Sequence, residues 1–466
     1  MNDLLLSIQD VSKGRKIYNP STGELVGLAP DHSVEELERC ISTAVESQPS
    51  WDQIGHNKRS KALRAAADAI EAASEQLADI LTREQGKPLN GPNARFEVGA
   101  CASWLRTTAD LSLEPETVLD SANGRGELHY RPIGVVGAIG PWNWPMLITI
   151  WQVSAALRMG NAVVVKPSEF TPLSVLALVE TLNTVLPTGV LNVVSGGRSV
   201  GEALAAHPKI GKIMFTGSTV TGKAIIRSSA DSVKRLTLEL GGNDAGIVLP
   251  DADPKEIAND LFWGAFLNAG QTCAALKRLY VHEDIYDAVC DELTAIAITT
   301  PMGDGLDEGN LLGPVQNRQQ YEIVSRLVES ARASGARVLI GGDPNPHQPG
   351  NFYPVTLVAD IENDNPLVSE EQFGPALPII RYSSVEDAVT MANGLRVGLG
   401  ASVWSADANR AREIAATLQA GSVWINAHGM VHPMVPFGGS KESGYGLEFG
   451  AEGLKSLGIP QAIHFK

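Results

Sequence analysis

Cysteines are few, no apolar stretch of membrane length runs unbroken, and positive charge is in deficit. Each shortage excludes something. The four cysteines, Cys40, Cys101, Cys273 and Cys290, are widely scattered and form no CxxC pair. Neither a disulfide framework nor a metal site is suggested, and a reducing cytoplasm is the expected compartment. The most apolar stretch, 133–157, is broken by Gly134, Gly137, Gly140, Pro141 and Pro145, whereas a membrane span needs about 20 largely uninterrupted apolar residues. The start, Met1-Asn2-Asp3-Leu4-Leu5-Leu6, lacks the basic region and long apolar run of a signal peptide, so no leader is expected. Lys and Arg number 37 against 53 Asp and Glu, a net charge of −16. That balance argues against a nucleic-acid surface or an anionic membrane partner. No internal repeat or low-complexity linker appears. A chain of 466 residues is too long for one ordinary core, so two or three domains are expected.

What is present has an order. Residues 33–110 read as helices. Ser33 with Glu36 predicts a capping box, and Asn57 a cap for a long second helix that Gly86 stops. On that helix Leu63, Ile70, Leu77 and Leu81 share a face, and a third helix is expected over 93–110. From Ile133 the texture changes to short Val- and Ile-rich runs at 133–139, 162–165, 191–194 and 212–215, separated by helical patterns. A second alternating series starts near Gly246. Strands alternating with helices at this spacing predict βαβ units, parallel sheets and right-handed crossovers. Segments at about 126–131 and 459–465 fit neither series and suggest a separate exposed ribbon.

Several stretches offer chemistry. Gly270 breaks the helical pattern of 258–267, placing Gln271-Thr272-Cys273 on a turn that can present a sulfur to a cleft. A cysteine attacks carbonyls only as the thiolate; a lone cysteine is more often a small buried hydrophobe. Lys166-Pro167-Ser168-Glu169 ends one strand, where Lys166 can donate to ribose hydroxyls and Glu169 accept from them. A carboxylate there disfavours a 2′-phosphate; the alternative is a solvated pair on a loop. Phe215-Thr216-Gly217-Ser218-Thr219 ends another strand and opens a helix suited to a pyrophosphate, or is a plain capping turn. The GxGxxG fingerprint is absent. Pro141-Trp142-Asn143-Trp144-Pro145 should hold Asn143 rigidly, and its amide can stabilise an oxyanion if it faces the cleft. Leu238-Glu239-Leu240-Gly241-Gly242 puts a carboxylate in an apolar run, which should raise its pKa toward that of a general base; a buried ion pair is the alternative.

Together, in this order, these segments closely resemble the aldehyde dehydrogenase superfamily over essentially the whole chain. Glu370-Glu371-Gln372-Phe373-Gly374-Pro375, Pro436-Phe437-Gly438-Gly439-Ser440-Lys441-Glu442-Ser443-Gly444 and the separation of 273 − 239 = 34 residues between Glu239 and Cys273 also match the family. The resemblance implies an α/β fold: a Rossmann-like cofactor domain (1–113 with 133–240), an α/β catalytic domain (241–442) and a small β bridging element (114–132 with 443–466) that builds homodimers or homotetramers. It implies oxidation of an aldehyde through a thiohemiacetal and a thioester on Cys273, with Asn143 and the Cys273 backbone N–H holding the oxyanion and Glu239 activating water. NAD is the expected cofactor, with NADP the alternative. By the same resemblance Lys166 and Glu169 meet the adenosine ribose, Gly217 and Ser218 the pyrophosphate, and Glu371 the nicotinamide ribose. Phe373 packs near the nicotinamide, and Trp142 and Ser168 fall at cofactor-binding positions.

Trp144, Ile148 and Trp151 recur at intervals of four and three, so they share one helix face. If that face lines the substrate tunnel, as in the family, uncharged aliphatic or aromatic aldehydes are expected. Relatives that oxidise carboxylate-bearing semialdehydes often carry an arginine where Trp151 stands; the alternative is that Trp151 packs into the core. The chain also departs from the family. Asn243 and Asp244 replace a common lysine and serine, and Leu447 replaces a frequent arginine. His428 and His432, near the expected mouth, could orient a polar substrate or be solvated.

Overall fold

Two parallel sheets form the frame of the computed structural model, which describes residues 2–466. The first runs, edge to edge, through Gly444–Tyr445, Arg235–Glu239, Lys212–Thr216, Val135–Ile139, Ala162–Lys166 and Leu191–Val193. All neighbours are parallel except the first pair, in which Gly444 lies opposite Glu239. The middle strands are buried along their whole length. That is why they read as unbroken apolar runs without alternation. The second sheet runs through Arg337–Ile340, Thr356–Ala359, Ala376–Tyr382, Leu276–His282, Asp244–Val248, Gly400–Trp404 and Ser422–Ile425. Only its first pair is antiparallel. Helix Pro145–Met159 is buried on every side, as expected for a helix hydrophobic all round.

The capping box at Ser33 is present: Glu36 N–H donates to Ser33 Oγ, and Ser33 N–H donates to the Glu36 carboxylate. The single helix expected from Asn57 to Gly86 is instead two, His56–Ala72 and Ser74–Gln85. Asn57 lies inside the first, with Gly55 at its N-cap. Ala73 leaves the helical region (φ −102°, ψ 11°), yet Leu63, Ile70, Leu77 and Leu81 all remain buried. The break turns the axis without exposing the apolar face, so periodicity alone does not betray it. Gly86 ends the second helix in the left-handed conformation, φ 92°.

The ribbon is three-stranded. Gly124–Pro132 pairs antiparallel with Gly458–Phe465, and also with Glu116–Ser121. That third strand escapes sequence reading because its register shifts between Thr117 and Leu119, which leaves Val118 and Leu119 both exposed and destroys the alternation. Strands Arg235–Glu239 and Thr356–Ala359 also lie outside the runs expected from sequence. Among the described residues no helix is long and apolar enough to cross a membrane.

Candidate active site

The turn that carries Cys273 is built by its predecessors. Helix Pro254–Phe266 starts at Asp253, whose side chain accepts the Lys255 N–H. Asn268 (φ 53°), Ala269 (φ 54°) and Gly270 (φ 74°) then all take the left-handed conformation. For Asn268 and Ala269 this costs about 1 kcal/mol or more each. The reversal is therefore shared among three residues and does not rest on Gly270 alone. Gln271, almost fully buried, locks the turn. Its Nε2 donates to Asn268 O (3.0 Å) and Pro314 O (3.2 Å), and its Oε1 accepts the Gln316 N–H (2.8 Å).

Cys273 sits half-buried against a large apolar cluster that contains Trp104, Trp144, Leu147, Trp151, Phe437 and Phe449. Behind it, Lys277 Nζ donates to the carbonyls of Thr272 (2.8 Å) and Cys273 (2.6 Å) and stands 3.3 Å from Glu371 Oε1. Sequence reading misses Lys277, because a lysine inside an apolar strand gives no local signal of what it touches. Burial pushes the Cys273 thiol up to about 12; the Lys277 ammonium pulls the other way, while Glu239 and Asp244 add to the rise. The resting side chain is therefore the thiol. Its alkylation by iodoacetamide, followed by mass spectrometry of the Cys273 peptide, should accelerate about tenfold per pH unit from pH 7 to 10 as the thiolate fraction grows. Lys277→Met should slow alkylation at any fixed pH in that range. A rate that levels off below pH 8 would contradict this picture of the thiol.

Asn143 is held from both ends. Its carbonyl accepts from Asn268 Nδ2 (2.9 Å) and Lys87 Nζ (2.9 Å), and its own Nδ2 donates to Gln271 O (3.0 Å). Lys87 also pairs with Glu97 at 2.6 Å, both side chains being wholly buried, and sits 3.4 Å over the Trp144 ring. The other Glu97 oxygen accepts the N–H groups of Met146 and Leu147, both at 3.0 Å, at the start of helix Pro145–Met159. A fully paired and hydrogen-bonded ion pair is what permits two charges at this depth. Neither member was singled out from sequence, since they are ten residues apart on different elements.

Glu239 ends strand Arg235–Glu239 and is buried, with neither carboxylate oxygen hydrogen-bonded among the described residues. Burial pushes its pKa well above the carboxylate range, and the nearby Glu448 carboxylate adds to the rise. Glu448 is buried too, and burial raises it to about 8 against the pull of Lys212. The ion-pair alternative for Glu239 is therefore not what the structure shows.

Lys166, Ser168, Gly217 and Ser218 lie at the carboxyl ends of first-sheet strands, and Glu371 and Phe373 lie in the segment before strand Ala376–Tyr382 of the second sheet. Lys166 is buried, and its Nζ donates to Pro167 O at 3.1 Å; burial lowers its pKa, against the pull of Glu169. Ser168 Oγ accepts the Phe170 N–H at 3.3 Å. Ser218 is the N-cap of helix Thr219–Ser229, accepting the Thr221 N–H at 3.3 Å. Gly217 has no room for a side chain: a Cβ would lie 2.6 Å from the Phe215 ring. Glu371 accepts the Gly242 N–H at 3.2 Å beside Lys277. Phe373, at φ 44°, packs edge-on against Trp142 with ring centroids 5.3 Å apart.

The three residues expected on one helix face all lie in the apolar cluster against Cys273. Trp144 Nε1 donates to Thr272 Oγ1 at 3.0 Å, next to Cys273. Trp151 lies in an aromatic cluster, 5.5 Å from Trp104 and 4.7 Å from Phe449 between centroids. Ile148 has no accessible surface, because the helix is enclosed all round. The two readings offered for His428 are both corrected. It is neither solvated nor open to substrate: its side chain is fully buried, Nδ1 is 2.9 Å from Ser402 Oγ, and Nε2 is 3.6 Å from Asp244 Oδ2. Asp244, the departure noted from sequence, also accepts the Gly400 N–H at 3.0 Å. The strand start and the loop carrying His428 are thus joined inside the protein. His432 is exposed and accepts the Met434 N–H at 3.2 Å.

A thiol, an amide and a raised carboxylate meet where the carboxyl ends of the first sheet face the turn before strand Leu276–His282. Lys166 and, on the other side of strand Val135–Ile139, Gly217 with Ser218 stand at strand carboxyl ends, the edge at which open parallel sheets bind ligands. The model of the aldehyde dehydrogenase family matches residues 8–460, and the chain belongs to that family. It is 40% identical over 459 residues to phenylacetaldehyde dehydrogenase of Pseudomonas fluorescens, covering 95% of this chain and 91% of that one. It is 38% identical to geranial dehydrogenase of Castellaniella defragrans over 94% and 92% of the two chains. The solved NAD+ complex of an aldehyde dehydrogenase from Bacillus cereus superimposes with a TM-score of 0.93 at 34% identity, covering 97% and 93%. The protein is an NAD(P)-dependent oxidoreductase that converts aldehydes to carboxylic acids.

Proposed function

We propose that Cys273, Asn143 and Glu239 carry the reaction, and that it ends in hydrolysis. Cys273 loses its thiol proton to solvent and adds as the thiolate to the aldehyde carbonyl. The Asn143 side-chain amide, on a residue whose backbone carbonyl is held by Lys87 and Asn268, and the Cys273 backbone N–H take the oxyanion of the thiohemiacetal. A bound nicotinamide supplies the hydride acceptor. Glu239 then removes a proton from the water that attacks the resulting thioester. The observation that carries this reading is the buried Glu239 carboxyl, unpartnered and raised toward the range of a working base. A CoA-acylating reaction is the second reading. An assay with and without CoA separates them: hydrolysis predicts turnover that CoA does not accelerate and a free acid as product.

The donor set fits the cofactor. Lys166 keeps ammonium donors beyond its one bond to Pro167 O. The opening N–H groups of helix Thr219–Ser229, with Gly217 and Ser218, suit a pyrophosphate. We assign Lys166, Ser168 and Glu169 to the adenosine ribose side, and Glu371, Phe373 and Trp142 to the nicotinamide side. The domain division at 1–113 with 133–240, 241–442, and 114–132 with 443–466 is supported by the grouping of strands except at Gly444–Tyr445, which belongs to the edge of the first sheet and not to the ribbon. The exposed Val118, Leu119, Ile459 and Phe465 of the ribbon support a homodimer or homotetramer, and the free cysteines fit a reducing cytoplasm.

The substrate is read from the cluster against Cys273. Trp144, Trp151, Trp104, Phe437 and Phe449 belong to the apolar cluster that Cys273 packs against, and an indole offers a carboxylate one N–H donor and no charge. Ile148 belongs to the same cluster but has no accessible surface with which to meet a substrate. The likeness to an enzyme named for phenylacetaldehyde points the same way. We therefore assign uncharged aliphatic or aromatic aldehydes. Hexanal and benzaldehyde should exceed succinate semialdehyde in kcat/KM by about tenfold or more, the scale of one unmet charge-assisted pair. A preference for the semialdehyde would overturn the assignment and require a cation in the tunnel.

A further inference from the structure

Glu169 does not stand alone. Arg15 Nη1 donates to its Oε2 at 3.0 Å, joining positions 154 residues apart. Arg15 reaches this edge from the N-terminal ribbon, where strand Arg15–Tyr18 pairs with Leu25–Ala29. Gly14 permits the approach, since a Cβ there would lie 2.9 Å from Ala29 O. Just beyond, His32 N–H donates to Ser195 O (2.7 Å) and His32 Nδ1 accepts the Ser195 N–H (3.0 Å). That pair of hydrogen bonds ties the N-terminal ribbon to the loop after strand Leu191–Val193, so Arg15 is held over the same sheet edge as Lys166 and Glu169. The pair is reachable from solvent: 24% of the Arg15 side chain and 43% of the Glu169 side chain are exposed. Arg15 Nη2 also forms an ion pair with Asp31 Oδ1 at 3.6 Å, beyond hydrogen-bond reach, and Nη2 and Nε are themselves buried without a hydrogen-bond partner among the described residues.

The charge at this edge therefore differs from what Glu169 alone would present. A bare carboxylate repels a 2′-phosphate. With the guanidinium on it, that charge is largely cancelled, and the two cations Arg15 and Lys166 balance the two carboxylates Glu169 and Asp31. A guanidinium is also the side chain best shaped to grip phosphate oxygens. We propose that Arg15 is a cofactor-specificity residue: it neutralises Glu169 and offers a cation to a 2′-phosphorylated dinucleotide, so that the enzyme accepts NADP as well as NAD. This rests on the assignment of Lys166 and Glu169 to the adenosine ribose.

The test is the ratio of kcat/KM with NADP to that with NAD, alongside Kd values for NADPH and NADH from fluorescence titration. The enzymes compared are the wild type, Arg15→Gln, Glu169→Gln and Lys166→Ala. An exposed ion pair contributes little to stability, so Arg15→Gln should fold. In Arg15→Gln the NADP/NAD ratio should fall about tenfold or more, the scale of one charge-assisted contact, and in Glu169→Gln it should rise. A ratio unmoved by Arg15→Gln, while Glu169→Gln shifts it and Lys166→Ala weakens both cofactors, would overturn the role of Arg15 alone. If Glu169→Gln and Lys166→Ala leave both Kd values unchanged, the ribose assignment falls, and the proposal with it.

Discussion

Glu239→Gln should release a full burst of NADH on mixing with aldehyde and NAD, about one equivalent per site, and then turn over about 10²–10⁴-fold more slowly than the wild type. The range is what one positioned general base contributes. Two features of the site separate the phases. The Cys273 turn is held by Gln271 and Lys277, not by Glu239, so thiol addition survives the substitution. The Glu239 oxygens have no hydrogen-bond partner among the described residues, so replacing the carboxyl by an amide removes a base without breaking a recorded bond. Stopped-flow absorbance at the NADH band measures both phases. Loss of the burst along with the steady state would mean that Glu239 also activates the thiol.

Cys273→Ala should abolish both phases, with turnover falling by about 10⁴-fold or more, because no covalent intermediate can form. The other three cysteines cannot substitute: Cys101 and Cys290 are buried, and Cys40 packs against the separate core cluster around Leu37 and Ile41. The substitution removes a half-buried sulfur and no hydrogen bond that holds the turn, so the variant should retain a cooperative melting transition. Residual NADH formation at wild-type rate from a folded Cys273→Ala protein would remove the cysteine from the mechanism.

Much of this was legible in the sequence because it depends on local chemistry. Apolar runs such as 162–165 report strands buried on both faces, and Ser33 with Glu36 reports a helix start. The Asn143, Glu239 and Cys273 segments declare themselves through prolines, leucines and a glycine around one polar group. What escaped depends on contacts between distant positions. Lys87 and Glu97 carry no signal of the Asn143 carbonyl that Lys87 meets, and Arg15 carries none of Glu169. Asp244 and His428 stood out as oddities, yet only the fold brings them to 3.6 Å. By spacing Ile148 shares a helix face with Trp144 and Trp151, yet it has no accessible surface at all. Spacing tells which side chains are neighbours on a helix, not which side of it the protein leaves uncovered.

The most direct test is to trap the acyl-enzyme. Glu239→Gln is mixed with benzaldehyde and NAD, quenched in acid within the burst and digested, and the peptides are weighed. The account predicts a benzoyl adduct of about one equivalent on the peptide containing Cys273, absent when NAD is omitted and lost after hydroxylamine treatment. A stoichiometric burst with no adduct on that peptide, or with the adduct on Cys40, Cys101 or Cys290, would contradict it.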